Sequence, residues 1–367
     1  MRIHNRTFTR RDLERYTGNM EQVGGTRHVT LSSGRAQGVR VIEFDTGSGF
    51  RFTAVPDRGL DIAHCTYRGV NMVYLSPGGI TSAAFYEPEG FGWLRTFFGG
   101  LLTTCGLTYF GDPGRDGEEE LGLHGRYSST PADRVCDRSR WEENRYVLEV
   151  TGDISEGTLF GEKLCLQRSI STALGEKSLT VRDRVSNRGF STSPFCILYH
   201  INAGFPLLDE GSELILSSTS IEPYDENARA GLGEVLRFGP PQHGFKGQDF
   251  LHTMAADEGG YALAALINRK LNGGLGLYLR FRTRTLPFLN EWKMLGEGDY
   301  VLGIEPVNTI ILNRAALRRS GRLPFLEPGE TADMEVEIGV LEGGDEIEGF
   351  ARKIRSVSDG RKHNDAR

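Results

Sequence analysis

Glu305 stands inside an otherwise apolar run, YVLGIEPVNTIIL, at residues 300–312. Burying a carboxylate costs several kcal/mol unless it is paired, hydrogen-bonded or open to a ligand. Glu305 therefore reads either as a salt bridge to a rim arginine or as a carboxylate facing a ligand. Two of the eight histidines also sit in unusual surroundings. His124, in GLHGRYSSTPA, follows a charged, glycine-rich loop, and the adjacent glycine lets another chain or a ligand come close. His200, in FCILYHINAGFPLLD, is expected where an apolar strand gives way to a turn. Taken alone, it reads equally as a core histidine bonded to a backbone carbonyl. A histidine can protonate an oxygen near neutral pH. A glutamate in a partly apolar pocket has a raised pKa and becomes a competent base. Two histidines and one glutamate at strand ends can thus do acid–base work without a metal.

The other chemistry-bearing residues are less distinctive. His4, His28, His64, His243, His252 and His363 lie in polar or terminal contexts and read as surface residues. The histidine spacings match no metal motif, and no P-loop or dinucleotide fingerprint is present, so no cofactor is expected. The five cysteines (65, 105, 136, 165 and 196) form no CxxC pair. Cys105 and Cys196 read as buried thiols, with a catalytic Cys105 beside a histidine as the minor alternative. Thr103, Thr104, Ser128 and Ser129 offer hydroxyls, but none sits in a G-x-S-x-G elbow. Trp93 and Trp292 offer aromatic faces on which a pyranose ring can stack, with plain core packing as the alternative. Arg58, in VPDRGLDI, can clamp a ligand's hydroxyls or carboxylate, or pair with Asp57 or Asp61.

These residues need a scaffold of strands. The chain has 367 residues, 25% charged, a formal net charge of -6 and 48 glycines. No basic block suggests nucleic-acid binding. No apolar run approaches the roughly 20 residues of a membrane span, and the polar N-terminus lacks a secretory core, so a cytoplasmic location is expected. Residues 9–17 predict a helix capped by Thr9. Residues 81–96 predict a loop with a short helical turn. Elsewhere short β-branched and aromatic runs alternate with turn residues, which predicts an all-β, large antiparallel sandwich. The organisation expected is an N-terminal extension (1–24), a single sandwich domain (25–350) and a frayed polar tail (351–367). No interface signature is legible, and a homodimer is left open.

In order along the chain, HG at 124–125, LYHINAG at 198–204, Trp292 and GIEPVN at 303–308 resemble the aldose 1-epimerase (galactose mutarotase-like) superfamily. VPDRGLDI, FFGGLLTTCGL and LHGR resemble an uncharacterised bacterial branch of it. The resemblance spans roughly residues 25–345. It implies a β-supersandwich holding a small carbohydrate in an open cleft, with Glu305 as base, His200 as acid and His124 helping to hold the sugar. Arg58, Trp93, Asn202, Asp209, Trp292 and Lys293 are the further substrate-binding candidates. The segment around His200 departs from the family's usual order, with Tyr199 before it and Asn202 after it. Asp209 and Asp225 both offer themselves as the family's substrate-binding aspartate. Lys293 and Arg58 raise the hypothesis of an acidic sugar. The competing functions are a sugar-binding protein without turnover and a polysaccharide lyase or hydrolase. Tyr199 and Lys293 keep the lyase open. A retaining hydrolase needs two carboxylates about 5–5.5 Å apart, and the sequence offers one that is well placed.

Overall fold

A computed structural model describes residues 1–3 and 6–364. The strands predicted from alternation form three large antiparallel sheets of nine, six and five strands. The six-stranded sheet carries the site. Its strands are β1 (Thr103–Leu107), β2 (Cys196–Gly204), β3 (Ser218–Pro223), β4 (Gln248–Met254), β5 (Phe288–Leu295) and β6 (Tyr300–Val307). Across the sheet they run β3-β4-β5-β6-β2-β1.

Successive side chains on a strand point to opposite faces. On β2, Ile197, Tyr199, Ile201 and Ala203 face a core shared by all three sheets. Leu198 and His200 face the other way. On β6, Leu302 and Ile304 join the core, whereas Gly303, Glu305 and Val307 lie on the outer face with His200. One face of the sheet is thus core, and Glu305 and His200 share the other. Between the sheets lies a fully buried ionic knot. Arg168 reaches Asp61 and Asp183, both at 2.7 Å, and the Tyr199 hydroxyl donates to Asp183.

The predicted N-terminal helix spans Arg10–Glu14, and Thr9 caps it in a reciprocal box with Asp12. Residues 81–96 form a loop with two short 3-10 turns, Ala83–Phe85 and Gly92–Arg95. The C-terminal region differs from expectation. A helix runs Gly343–Asn364, through the segment read as frayed. Ile347, Ala351 and Ile354 give it a buried stripe at helical spacing, and Ile347 packs on Ala265 and Ile267 of the nine-stranded sheet. Ile3 and Leu13 of the N-terminal segment likewise enter the main core. Among the described residues, no helix is long and apolar enough to cross a membrane.

Candidate functional site

A cavity of about 200 Å³ lies over the outer face of the six-stranded sheet. Its floor comes from neighbouring strands in register. Asn290 of β5 pairs directly with Glu305 of β6. The register that pairs Leu198 with Val307 and Ile201 with Ile304 puts His200 opposite Glu305. Gly303, two residues before Glu305 on the same face, makes room for the carboxylate: a Cβ there would fall 2.2 Å from Oε1.

Glu305 is 2% exposed and His200 4%. His200 Nε2 lies 3.2 Å from Glu305 Oε1. Glu305 Oε2 accepts from the Asn290 amide at 2.8 Å, and the same nitrogen donates to Asp249 Oδ1 at 3.0 Å. Glu305 Oε1 and His200 Nδ1 are both buried without a hydrogen-bond partner. Unmet polar atoms of this kind cost about 1–3 kcal/mol each, and where they border a cavity a ligand can complete the bonding. Burial pushes the Glu305 carboxyl well above its ordinary range, against the pull of Asn290, and Asp249 adds to the rise. Burial and the neighbouring His124 hold His200 well below its ordinary value, against a smaller opposing pull from the Asn202 side chain. Burial pushes Asp249 up to about 6.

His124 sits at φ +60°, uncommon for a residue other than glycine. The glycine beside it serves backbone approach: a Cβ on Gly125 would meet the carbonyl oxygens of Tyr109 and Gly106 at 2.5 and 2.6 Å. His124 Nδ1 accepts the Gly111 N–H at 3.4 Å, which leaves Nε2 carrying the proton. Burial lowers its pKa to about 4. Its ring stands perpendicular to His200 at 5.9 Å between centroids. Trp93 stacks on Phe97 and donates its indole N–H to Ser128. Trp292 meets the His200 ring edge-on at 5.5 Å. At the rim, the Tyr224 hydroxyl donates to Asp112 at 2.9 Å.

The cavity therefore gathers Glu305, His200, His124, Trp93 and Trp292. His200 proves to be mid-strand rather than at a strand end. The other candidates lie elsewhere. Arg58 is wholly buried and donates to the carbonyls of Ser128, Thr81 and Thr96, so it ties down the loops that carry Trp93 and His124 and touches no ligand space. Lys293 follows Trp292 on β5 and so points to the opposite face, where Nζ donates to the carbonyls of Glu234 and Arg237. Asn202 shares the face of His200 but donates to the carbonyls of Gly100 and His200, behind the floor. Asp209 shapes a separate turn by accepting the Glu210 N–H. Asp225 caps the helix Glu226–Gly231.

The sequence reading missed Asp249, Asn290, Asp112 and Tyr224, which all line the cavity. It also misplaced His252. That residue is fully buried in the core and pairs with Glu291 at 3.1 Å. His28, His64 and His243 are exposed as expected; His4 and the side chain of His363 lie outside the described residues. Four cysteines are buried and Cys136 is exposed, all as free thiols. Burial raises the Cys105 thiol well above its usual pKa, which leaves it unactivated. Among the described residues, no cluster of three or more His, Cys, Asp or Glu side chains is arranged to hold a metal ion.

The pattern of the family described as a domain of unknown function, DUF4432, matches residues 36–340. The chain belongs to the DUF4432 family. This DUF4432 chain matches no curated protein in sequence. Among solved structures, it is similar to a Klebsiella pneumoniae protein described provisionally as an aldose 1-epimerase. The two share 26% identity over 93% of this chain and 91% of that one, with a TM-score of 0.87. A galactose mutarotase-like protein from Clostridium acetobutylicum is 14% identical over 88% and 99% of the chains, with a TM-score of 0.60. A galactose 1-epimerase from Lactobacillus acidophilus is 15% identical over 88% and 100%, with a TM-score of 0.57. At those identities the last two show the fold alone, which is galactose mutarotase-like.

Proposed function

We propose that the chain interconverts the anomers of a free monosaccharide, as an aldose 1-epimerase does, with Glu305 and His200 as the acid–base pair. The observation that carries this reading is the pair itself: two titratable groups 3.2 Å apart on adjacent strands, lining a cavity, with Glu305 Oε1 unmet. The cavity is smaller than the roughly 300–1,000 Å³ usual for drug-sized ligands and suits one sugar ring. Glu305 removes the proton of the anomeric hydroxyl and His200, as imidazolium, protonates the ring oxygen. The C1–O5 bond breaks, the aldehyde turns about C1–C2, and the ring closes on its other face with the roles reversed.

The protons balance within the pair. A carboxylate beside an imidazolium holds as many protons as a carboxylic acid beside a neutral imidazole, which is the form burial favours. One proton shift over a short distance converts the second form into the working one. Asn290 fixes Oε2 and leaves Oε1 to act. His124, kept neutral, offers its Nε2–H to a sugar oxygen.

Other readings lose support. Among the described residues no lysine or arginine lines the cavity, and Asp112, Asp249 and Glu305 do, so the case for an acidic sugar loses both its residues. Tyr199 and Lys293, the lyase candidates, both lie on the opposite face of the sheet. Asp249 supplies a second carboxylate, but it rises from the same sheet as Glu305 and shares one amide with it. The two lie side by side rather than flanking a glycosidic oxygen as hydrolysis requires.

Exchange NMR of α/β interconversion, over free aldoses, uronic acids and sulfonated hexoses, tests the proposal. We expect exchange above the uncatalysed rate with at least one sugar and loss of that acceleration in Glu305→Gln. Sugar-induced shifts without acceleration would make the protein a binder instead.

A further inference from the structure

The cavity has two chemically different flanks, and the strand order fixes which lies where. Toward β4 stand Asn290, Asp249 and Tyr224, all hydrogen-bonding groups. Toward β1 stand Leu198, Trp93 and Phe97, with Phe91 and Leu94 at the mouth. Phe91 is 62% exposed and Leu94 54%, although both line a functional cavity. The Trp93 indole N–H is already engaged by Ser128, so the imidazole of His124 is the polar group this flank offers.

The mutarotase reading sets the direction of the sugar. Glu305 on β6 takes the proton of O1 and His200 on β2 serves O5. The line from O1 to O5 then runs away from the polar flank and toward the apolar one. The C2 hydroxyl, vicinal to O1, is the one that reaches back toward Asn290 and Asp249. C5, bonded to O5, lies on the His200 side and points its substituent at the aromatic and aliphatic wall.

We propose that the substrate is an aldose whose C5 substituent is apolar, a 6-deoxyhexose with a methyl group at that position. The inference rests on the mutarotase reading for the orientation of the ring, and on the two-sided lining for the class. A methyl group packs on Leu198, Phe97 and Leu94 with no polar group to satisfy. A C6 hydroxyl there loses water without full replacement, and a carboxylate or phosphate meets no lysine or arginine among the described residues.

Matched sugar pairs test this: 6-deoxy-L-galactose against L-galactose, 6-deoxy-L-mannose against L-mannose, and 6-deoxy-D-galactose against D-galactose. Anomer exchange is read by NMR and binding by fluorescence of Trp93 and Trp292. In at least one pair the 6-deoxy sugar should show kcat/KM roughly ten- to hundredfold above its 6-hydroxy partner, the range a hydrophobic pocket gives against an added hydroxyl. Phe91→Ser with Leu94→Ser should shrink that ratio, chiefly by raising KM for the 6-deoxy sugar. Exchange equal to or faster with the 6-hydroxy sugar in every pair would overturn the substrate class and leave the mutarotase reading standing. Tighter binding of the 6-deoxy sugar without exchange would keep the class and overturn the reaction. Neither exchange nor binding would overturn both.

Discussion

The six-stranded sheet carries a glutamate–histidine pair on each of its faces. On the outer face His200 and Glu305 lie 3.2 Å apart and line a cavity. On the core face His252 and Glu291 lie 3.1 Å apart with no exposure at all. The residue types and separations are nearly the same, and both glutamates leave one oxygen buried and unmet. The surroundings differ. The outer pair meets aromatic rings, a second histidine and a second carboxylate around open space. The inner pair is packed against core side chains, with His252 Nδ1 beside the Ser218 hydroxyl. Chemistry at a pair of side chains needs a route for a ligand as much as it needs the pair.

The same substitution at the two glutamates gives the sharpest contrast. Glu305→Gln should lower kcat/KM for anomer exchange by about 10²–10⁴-fold, the usual contribution of a general acid–base group, with the thermal midpoint nearly unchanged. Glu291→Gln should stay within about twofold of the parent, because a neutral amide still accepts from His252 Nε2. Equal losses at both sites would erase the distinction between the faces.

Truncation should reverse the ranking in stability. Glu291→Ala leaves His252 in the core without its partner and should cost about 3–5 kcal/mol in urea unfolding. Glu305→Ala, bordering a cavity that water can enter, should cost much less. A third difference is pH dependence. The folded-state pKa of His124, about 4, lies below its unfolded value near 6.5. Its contribution to stability is therefore complete above pH 6.5 and is lost as pH falls toward 4. Because the side chain is partly exposed, that contribution should be about 1–3 kcal/mol. Unfolding curves of His124→Gln should lack this slope between pH 6.5 and 4. The smallest effect belongs to the rim. Tyr224→Phe removes an exposed hydrogen bond to Asp112 and should change stability by under about 1 kcal/mol, with a severalfold rise in KM at most.

Much of the fold was legible because alternation of apolar and polar residues reports strands directly. Glu305 and His200 were legible for the complementary reason: each interrupts a run that alternation would fill with aliphatics. Lys293 was misjudged through proximity in sequence. It adjoins Trp292, and adjacent residues on a strand face opposite ways, whereas Asn290, two residues off, shares the tryptophan's face. The same rule applied from Trp292 would have found Asn290. Asp249 reaches the site by pairing across the sheet with Trp292, which no local pattern reports. Arg58 fits neither of its two readings, a ligand clamp or a pair with Asp57 or Asp61, because it is spent on backbone carbonyls. Its burial depends on carbonyls more than twenty residues away. The C-terminal helix was hidden by polar composition, although its stripe of Ile347, Ala351 and Ile354 is at helical spacing.

The strand order has a consequence for timing during folding. β2 pairs with β6 about a hundred residues further along the chain, and β5 brings Asn290 in only through β6. Closing loops of that length is slow compared with forming hairpins. Local strand pairs such as β5 with β6 can form early, while Glu305 meets His200 only when the distant strand docks. After dilution from denaturant, far-UV ellipticity should return ahead of the anomer exchange proposed for the site, and the lag between them would time the joining of the two halves of the sheet.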